Sequence, residues 1–183
     1  MLYNPVFYNF ITAHPKCIKV WDAADGCLIS IYQEFTPADI TCMCLDDRFR
    51  KLYVGDSRGR AYCLNVKNGV MTKRFKKPQD NKQNKMMQQR EQQQRGGAAK
   101  NEREEQEISS LVYWGEQKNT LICTSWDQSM YVFDDQDPEA RDGQFRYKIE
   151  NRKPNSKQNY VDFCQDSMMS AIACEDGYVT VQN

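Results

Sequence analysis

The sequence predicts an all-β protein built from one repeated, four-stranded antiparallel unit, and three observations carry that prediction. The stretch "CIKVWDAADG" (17–26) alternates apolar and polar residues and breaks at Asp25-Gly26, the pattern of a half-buried strand running into a turn. Worn copies return as "AYCLNVKNG", "SMYVFDD" and "YVTVQN", which align Trp21, Leu64, Phe133 and Gln182. No strong helical period separates the copies, so a sheet of strands alternating with helices is not expected.

The first unit starts with the end of a strand at 2–4, turns at "NP" into "NFITA", and closes on "CIKVWD". The second reads as "ITCMCLD" (40–46), "KLYVGD" (51–56), "RAYCLN" (60–65) and "VMTKRF" (70–75). The third reads as "ISSLVYW" (108–114), "TLICTS" (120–125), "MYVFD" (130–134) and "FRYKI" (145–149). The last reads as "YVDFCQ" (160–165), "MMSAIAC" (168–174) and "YVTVQ" (178–182). These runs are rich in Val, Ile, Tyr, Phe and Thr and are parted by Gly, Asp, Asn and Ser. The aligned positions lie 43, 69 and 49 residues apart, the first within the roughly 40–45 residues of a four-stranded propeller blade. The units are expected at about 1–27, 28–66, 70–134 and 145–183, about three and a half blades of a partial β-propeller.

The long second spacing comes from an insertion at 76–107, which holds eight glutamines and fourteen charged residues. It carries too little apolar surface to offset its ordering entropy. Lys76, Lys77, Lys82, Lys85, Arg90 and Arg95 make its first part basic, and Glu102, Glu104, Glu105 and Glu107 make its end acidic. Residues 82–95 lack Gly and Pro and have the propensity to become helical against a partner.

Composition narrows function. Lys+Arg and Asp+Glu are both 25 in 183 residues, unlike a strongly basic nucleic-acid binder or a polybasic membrane protein. No run approaches the roughly 18 apolar residues of a membrane span, and "MLYNPVFYNF" lacks the pattern of a signal peptide. Most of the eight cysteines sit where Val, Ala or Ser would serve in a strand, and are expected reduced and buried. With no C-x-x-C pair and a single histidine, His14, a zinc site is disfavoured. No phosphate-binding glycine motif occurs, and no cofactor is expected. His14 has no evident nucleophilic partner. Asp46-Asp47 and Asp134-Asp135 are adjacent acids at strand ends and read as turn residues rather than an acid/base pair. Trp126 with Arg58 or Arg60 forms a candidate contact spot in the turns, since Trp and Arg are favoured interface anchors.

Trp21-Asp22, the turn "SWDQSMYVFD" with Ser125 and Asp127, and "CEDGYVTVQN" with Asp176-Gly177 together resemble the WD-repeat β-propeller family. Gly59 falls in the matching turn of the second unit. The family's blades hold a hydrogen-bonded set of a turn Asp, a Ser or Thr, a Trp and a His, so the resemblance implies that Asp127 and Asp176 are largely buried and bound by backbone amides. The match is incomplete. Pro15 and Arg58 stand at the Asp position of the first two units, Leu64, Phe133 and Gln182 replace the Trp, and His14 falls elsewhere. Blade cohesion is therefore expected to rest on apolar packing between sheets.

A second resemblance, carried by 38–75 with "EISSLVYW" and "SWDQSMYVFDD", is to large WD-repeat proteins of motile cilia and flagella. It implies a non-enzymatic scaffold of the axoneme whose partners are axonemal proteins or tubulin. The alternative is a cytosolic adaptor presenting substrates to a modifying complex such as a ubiquitin ligase. The absence of a D-x-[DN]-x-[DN]-G loop means that calcium binding is not implied. An arc without an outer strand on its first unit is expected to be completed by the rest of a larger propeller or by another chain. A closed four-blade ring is the competing architecture.

Overall fold

The computed structural model describes residues 1–78, 106–115, 119–150, 156–164, 166–167 and 169–182. Its strands form four antiparallel meanders, each strand paired with the next. Sheet 1 comprises β1 (Leu2–Asn4), β2 (Asn9–His14), β3 (Cys17–Asp22) and β4 (Leu28–Gln33). Sheet 2 holds β5 (Ile40–Leu45), β6 (Lys51–Asp56), β7 (Arg60–Asn65) and β8 (Met71–Lys76). Sheet 3 holds β9 (Ile108–Trp114), β10 (Thr120–Ser125), β11 (Ser129–Asp134) and β12 (Gln144–Glu150). Sheet 4 is three-stranded, with β13 (Gln158–Cys164), β14 (Met169–Cys174) and β15 (Val179–Gln182). None of the described residues is helical. The result is a partial β-propeller.

Strand pairing moves one boundary. Leu28–Gln33 pairs with β3, so residues 28–33 complete sheet 1 instead of opening the second unit, and the first sheet does not lack its outer strand. "LISIYQ" escaped the sequence reading because its apolar residues do not alternate cleanly and four of its six residues are exposed. The repeat itself is deeper than residue identity shows. The register slips at Val20/Trp21, Cys63/Leu64 and Val132/Phe133, the same point on the third strand of three sheets. A bulge there bends the outer strand and increases local twist.

Alternation along each strand assigns residues to the two neighbours. Leu52, Val54, Tyr62 and Leu64 pack with Ile11, Ile18 and Val20 of sheet 1. Tyr53, Ala61, Cys63 and Phe75, from the opposite face of sheet 2, pack with Leu121, Cys123, Tyr131 and Phe133. Ile122, Met130 and Val132 of sheet 3 then meet Val161, Ile172 and Cys174. Each joint is an apolar core between sheets, and burial of its apolar surface is the main cohesive term. Burial pushes the Cys42 thiol up to about 12, holds Cys44 and Cys123 well above the ordinary thiol range, and raises Cys63 as well. These four side chains stay protonated and act as small hydrophobes. Cys27 and Cys164 differ from the sequence reading in being exposed.

Sheets 1 and 4 do not close on each other. Val179 and Val181 are 65% and 61% exposed, and Tyr3 is 44% exposed. The described residues form an open arc, against the four-blade ring.

Candidate interaction surface

In a four-stranded meander the turns between second and third strands emerge at the same end as the connections between sheets. That end gathers the turns around Pro15, Arg58, Trp126 and Asp176 together with the root of the insertion. Three of its hairpins share one geometry: Gly59, Gln128 and Gly177, each just before a third strand, have φ of 75°, 67° and 82°. This left-handed position belongs to a three-residue hairpin loop. In sheet 1, His14 pairs directly with Cys17, leaving a two-residue turn with no place equivalent to Asp127.

The turn acids behave unequally. Asp127 is half-buried. It accepts from Ser129 N at 3.1 Å and from the Tyr131 hydroxyl at 2.6 Å, and it ion-pairs with Lys77 at 3.2 Å. Asp176 is exposed and accepts from Tyr178 N at 3.2 Å. The expected burial of Asp176 is not found, because position 180, where Tyr131 stands in sheet 3, is a threonine. In sheet 2 the missing acid is supplied two residues earlier. Asp56, 0% exposed, accepts from Arg58 N, Arg60 N, Thr36 Oγ1 and Tyr62 Oη at 2.9–3.1 Å. Tyr62 and Tyr131 occupy the same place on their strands, so a Tyr–Asp pair replaces part of the Trp-centred set in two sheets. Sheet 1 keeps the Trp: Trp21 Nε1 donates to Thr12 Oγ1 at 2.9 Å, and His14 Nε2 lies 3.2 Å from that hydroxyl. Asp22 caps the following turn, accepting from Ala24 N.

The root of the insertion is clasped. Lys77 Nζ donates to Gln106 O at 2.7 Å, reaches the Ser125 hydroxyl and Asp127, and lies 5.1 Å above the Tyr131 ring. Ser125, fully buried, donates to Glu107 O at 2.8 Å. Gly59 is required twice here. Its φ is positive, and a Cβ would stand 2.6 Å from Gln106 O. Serine and lysine are adjacent as in a nucleophile–base pair, yet the hydroxyl is enclosed and bonded to backbone, so the cluster holds the chain in place.

Around this root, Arg58 is exposed and Arg60 half-buried, and Lys76 is exposed. Trp126 is 37% exposed, with Lys157 Nζ 4.6 Å above its ring. That contact spans the joint between sheets 3 and 4. Gly177 is exposed at its turn. Lys82, Lys85, Arg90 and Arg95, with the 82–95 helix expectation, lie outside the described residues. Among the described residues, no group of three or more His, Cys, Asp or Glu is placed to hold a metal ion, and no helix is long and apolar enough to cross a membrane.

The opposite end carries a feature that the sequence reading missed. The β11–β12 connection runs across the joint onto sheet 2 as a strap. Arg74 N donates to Arg141 O at 2.9 Å and Gly143 N to Arg74 O at 2.7 Å, which pairs the outer edge of β8. Beneath the strap, Asp135, with a side chain 0% exposed, ion-pairs with Lys51 and Lys73 and accepts from Tyr53 Oη at 2.7 Å. Burial alone would raise the Asp135 carboxyl, but the two ammonium groups and the hydroxyl outweigh it and hold the acid below the usual range. Asp134-Asp135 is thus a structural pair whose members diverge, Asp134 binding Arg146 at the surface.

No protein-family model matches the chain. It is 35% identical over 68 residues to cilia- and flagella-associated protein 337 B of Tetrahymena thermophila, a stretch that covers 37% of this chain and 5% of that protein. It overlays a chain in the crystal structure of the mitotic checkpoint complex with a TM-score of 0.70 at 10% identity, over 98% of this chain and 46% of that one. The second likeness shows the propeller fold. The chain spans about a twentieth of the length of the curated relative and under half of the structural one.

Proposed function

We propose that this chain is a non-enzymatic, WD-repeat scaffold of the ciliary or flagellar axoneme that binds axonemal proteins or tubulin. The observation that carries the ciliary reading is the 68-residue likeness to a cilia- and flagella-associated protein. The fold supports the binding role: rigid sheets present turns at their ends, where contacts are made without catalytic machinery. Partner contacts fall on the end that bears Arg58, Arg60, Trp126 and the insertion root at Lys76 and Lys77. The basic part of the insertion, with Lys82, Lys85, Arg90 and Arg95, adds attraction to acidic surfaces such as tubulin. Attraction between exposed charges is screened over about 8 Å at physiological salt.

The test is retention of the tagged chain on detergent-extracted axonemes across a salt series. The scaffold stays with the axoneme, and deleting 78–105 lowers its retention while the sheets remain folded. A chain that washes out with the soluble fraction is the adaptor of a modifying complex instead. Equal retention of parent and deletion at every salt concentration assigns attachment to the sheets alone.

A further inference from the structure

We infer that the turn between β1 and β2 docks a peptide segment of a partner protein, one with apolar side chains at its middle, acidic residues at one end and basic residues at the other. The turn is Pro5-Val6-Phe7-Tyr8, between Asn4 and Asn9, at the end of the arc opposite Arg58 and Trp126. Val6, Phe7 and Tyr8 are 56%, 39% and 60% exposed. Three consecutive large apolar residues facing water at a turn tip work against folding unless they serve a contact.

The backbone beneath them is fixed. Asn4, 0% exposed, accepts from Val6 N at 2.9 Å and from Phe7 N at 3.1 Å, and its Nδ2 donates to Phe49 O at 2.8 Å in the turn between β5 and β6. Tyr8 O accepts from Ala23 N at 3.1 Å in the turn between β3 and β4. The tip is thus tied to both neighbouring turns. It is also strained. Tyr8 has φ of 51°, at the place just before a second strand where sheet 3 has Asn119 with φ of 42°. Asparagine tolerates that left-handed conformation, whereas a bulky aromatic residue there is an outlier. Phe49, on the far side of the Asn4 link, is a second such outlier with φ of 57°. Strain of this kind persists where surrounding contacts over-determine it, and it collects at ligand clamps. A tip held in this way has little freedom left to lose on binding.

Charge selects the occupant. Arg48 and Arg50 are exposed on the sheet 2 side of the tip, and on its other side Asp22 is half-buried and Asp25 exposed. Asp47 is turned toward sheet 3, since a Cβ on Gly115 would stand 1.8 Å from its carboxylate. A partner that covers the tip must bring acid to the arginines and base to the aspartates, or leave like charges facing each other. A uniformly anionic lipid surface fails on the aspartate side, and a peptide with opposite charges at its two ends satisfies both. Val6 and Phe7 stand beyond the end of β1, so the site does not depend on what covers the open face of sheet 1. It is also independent of the ciliary reading.

The experiment selects peptides from a displayed random-peptide library on the full chain. Their affinities are then measured by fluorescence anisotropy for the parent, a V6S/F7S variant and an R48E/R50E variant. The altered side chains are all exposed, and melting midpoints check that the variants fold. The selected peptides should share the acidic, apolar, basic order and bind V6S/F7S about tenfold more weakly, as expected for loss of an aromatic anchor. R48E/R50E should lose the same peptides and regain binding when their acidic end is replaced by lysines, a rescue that a misfolded variant cannot give. Peptides that bind parent and V6S/F7S equally, or that are indifferent to R48E/R50E, overturn the proposal. So does a library that yields no binder. Binding of the parent to phosphatidylserine vesicles that V6S/F7S abolishes overturns it too, and assigns the tip to a lipid surface.

Discussion

The joint between sheets 2 and 3 and the joint between sheets 3 and 4 are built from the same repeat, yet they are fastened differently. Among the described residues, the first has a core of ten buried residues, the strap over β8, the Asp135 ion cluster at one end and the Lys77 clasp at the other. Among the described residues, the second has a core of six buried residues, with Gln158 Nε2 donating to Gln128 O and Lys157 over Trp126 as side-chain links. The insertion leaves from the first. Apolar packing makes a propeller joint, and nonlocal polar contacts decide which joints stay shut. Sheets 2 and 3 should therefore open as one unit, with sheet 4 opening first.

The strongest way to break this comparison is Asp135→Ala. It strands Lys73, only 4% exposed, without its carboxylate, and removing one partner of a buried pair costs about 3–5 kcal/mol. Denaturant unfolding of variant and parent checks the loss, and hydrogen exchange should show β6 and β10 losing protection together. If exchange rises only in sheet 4, the cluster does not hold the joint. Next comes Ile172→Ala, which leaves a cavity in the smaller core at a cost of about 2–4 kcal/mol. Here exchange should rise in β13–β15 while β5–β8 keep their protection. Uniform loss across all four sheets would show that the arc opens as a single unit.

Acid offers a reversible version of the first test. The Asp135 carboxyl is held below its ordinary value. Its contribution is then fully present above about pH 3.9, the unfolded-state value, and is lost as pH falls through the lower folded value. Acid titration followed by fluorescence should therefore destabilise the parent more than Asp135→Asn. Parallel acid curves for the two would remove the ion cluster from the account.

The same contrast explains what was legible in the sequence. Third strands were readable because local alternation set them, and Trp21, Leu64 and Phe133 do share one place beside one bulge. Asp56 was overlooked because it was sought two residues later, where Arg58 stands. Its role depends on Thr36 and Tyr62, which reach it only in the folded sheet. The strap was invisible for a stronger reason. "DDQDPEARDG" has the composition of a solvated turn, and nothing local reports that Gly143 lies against Phe75, where a Cβ would stand 2.0 Å from the ring. Periodicity records which face is buried. It does not record which loop crosses to the next sheet.

Two turn acids sharpen the comparison at intermediate scale. Asp127 joins the clasp of the tighter joint, and Asp127→Ala strands the Tyr131 hydroxyl and Lys77 at a cost of about 1–3 kcal/mol. Asp176, exposed on sheet 4, is expected to change stability by no more than about 0.5 kcal/mol when replaced by alanine. Thermal melts of the pair decide this. Equal shifts would mean that the family-like turn position matters in itself, independent of Tyr131 and Lys77.

The smallest effect concerns Gln128, where the turn of the tighter joint meets the looser one. Its φ of 67° is the left-handed conformation that Gly59 and Gly177 adopt at the same place. A side chain there costs about 1–2 kcal/mol, partly offset because glycine loses more chain entropy on folding. Gln128→Gly keeps the backbone carbonyl that receives Gln158, so the link between sheets 3 and 4 survives. The expected outcome is a gain of about 0.5–1 kcal/mol, read as a higher unfolding midpoint. A loss instead would mean that the glutamine side chain fastens the looser joint more than its backbone strain weakens it, and the difference between the two joints would be narrower than their cores imply.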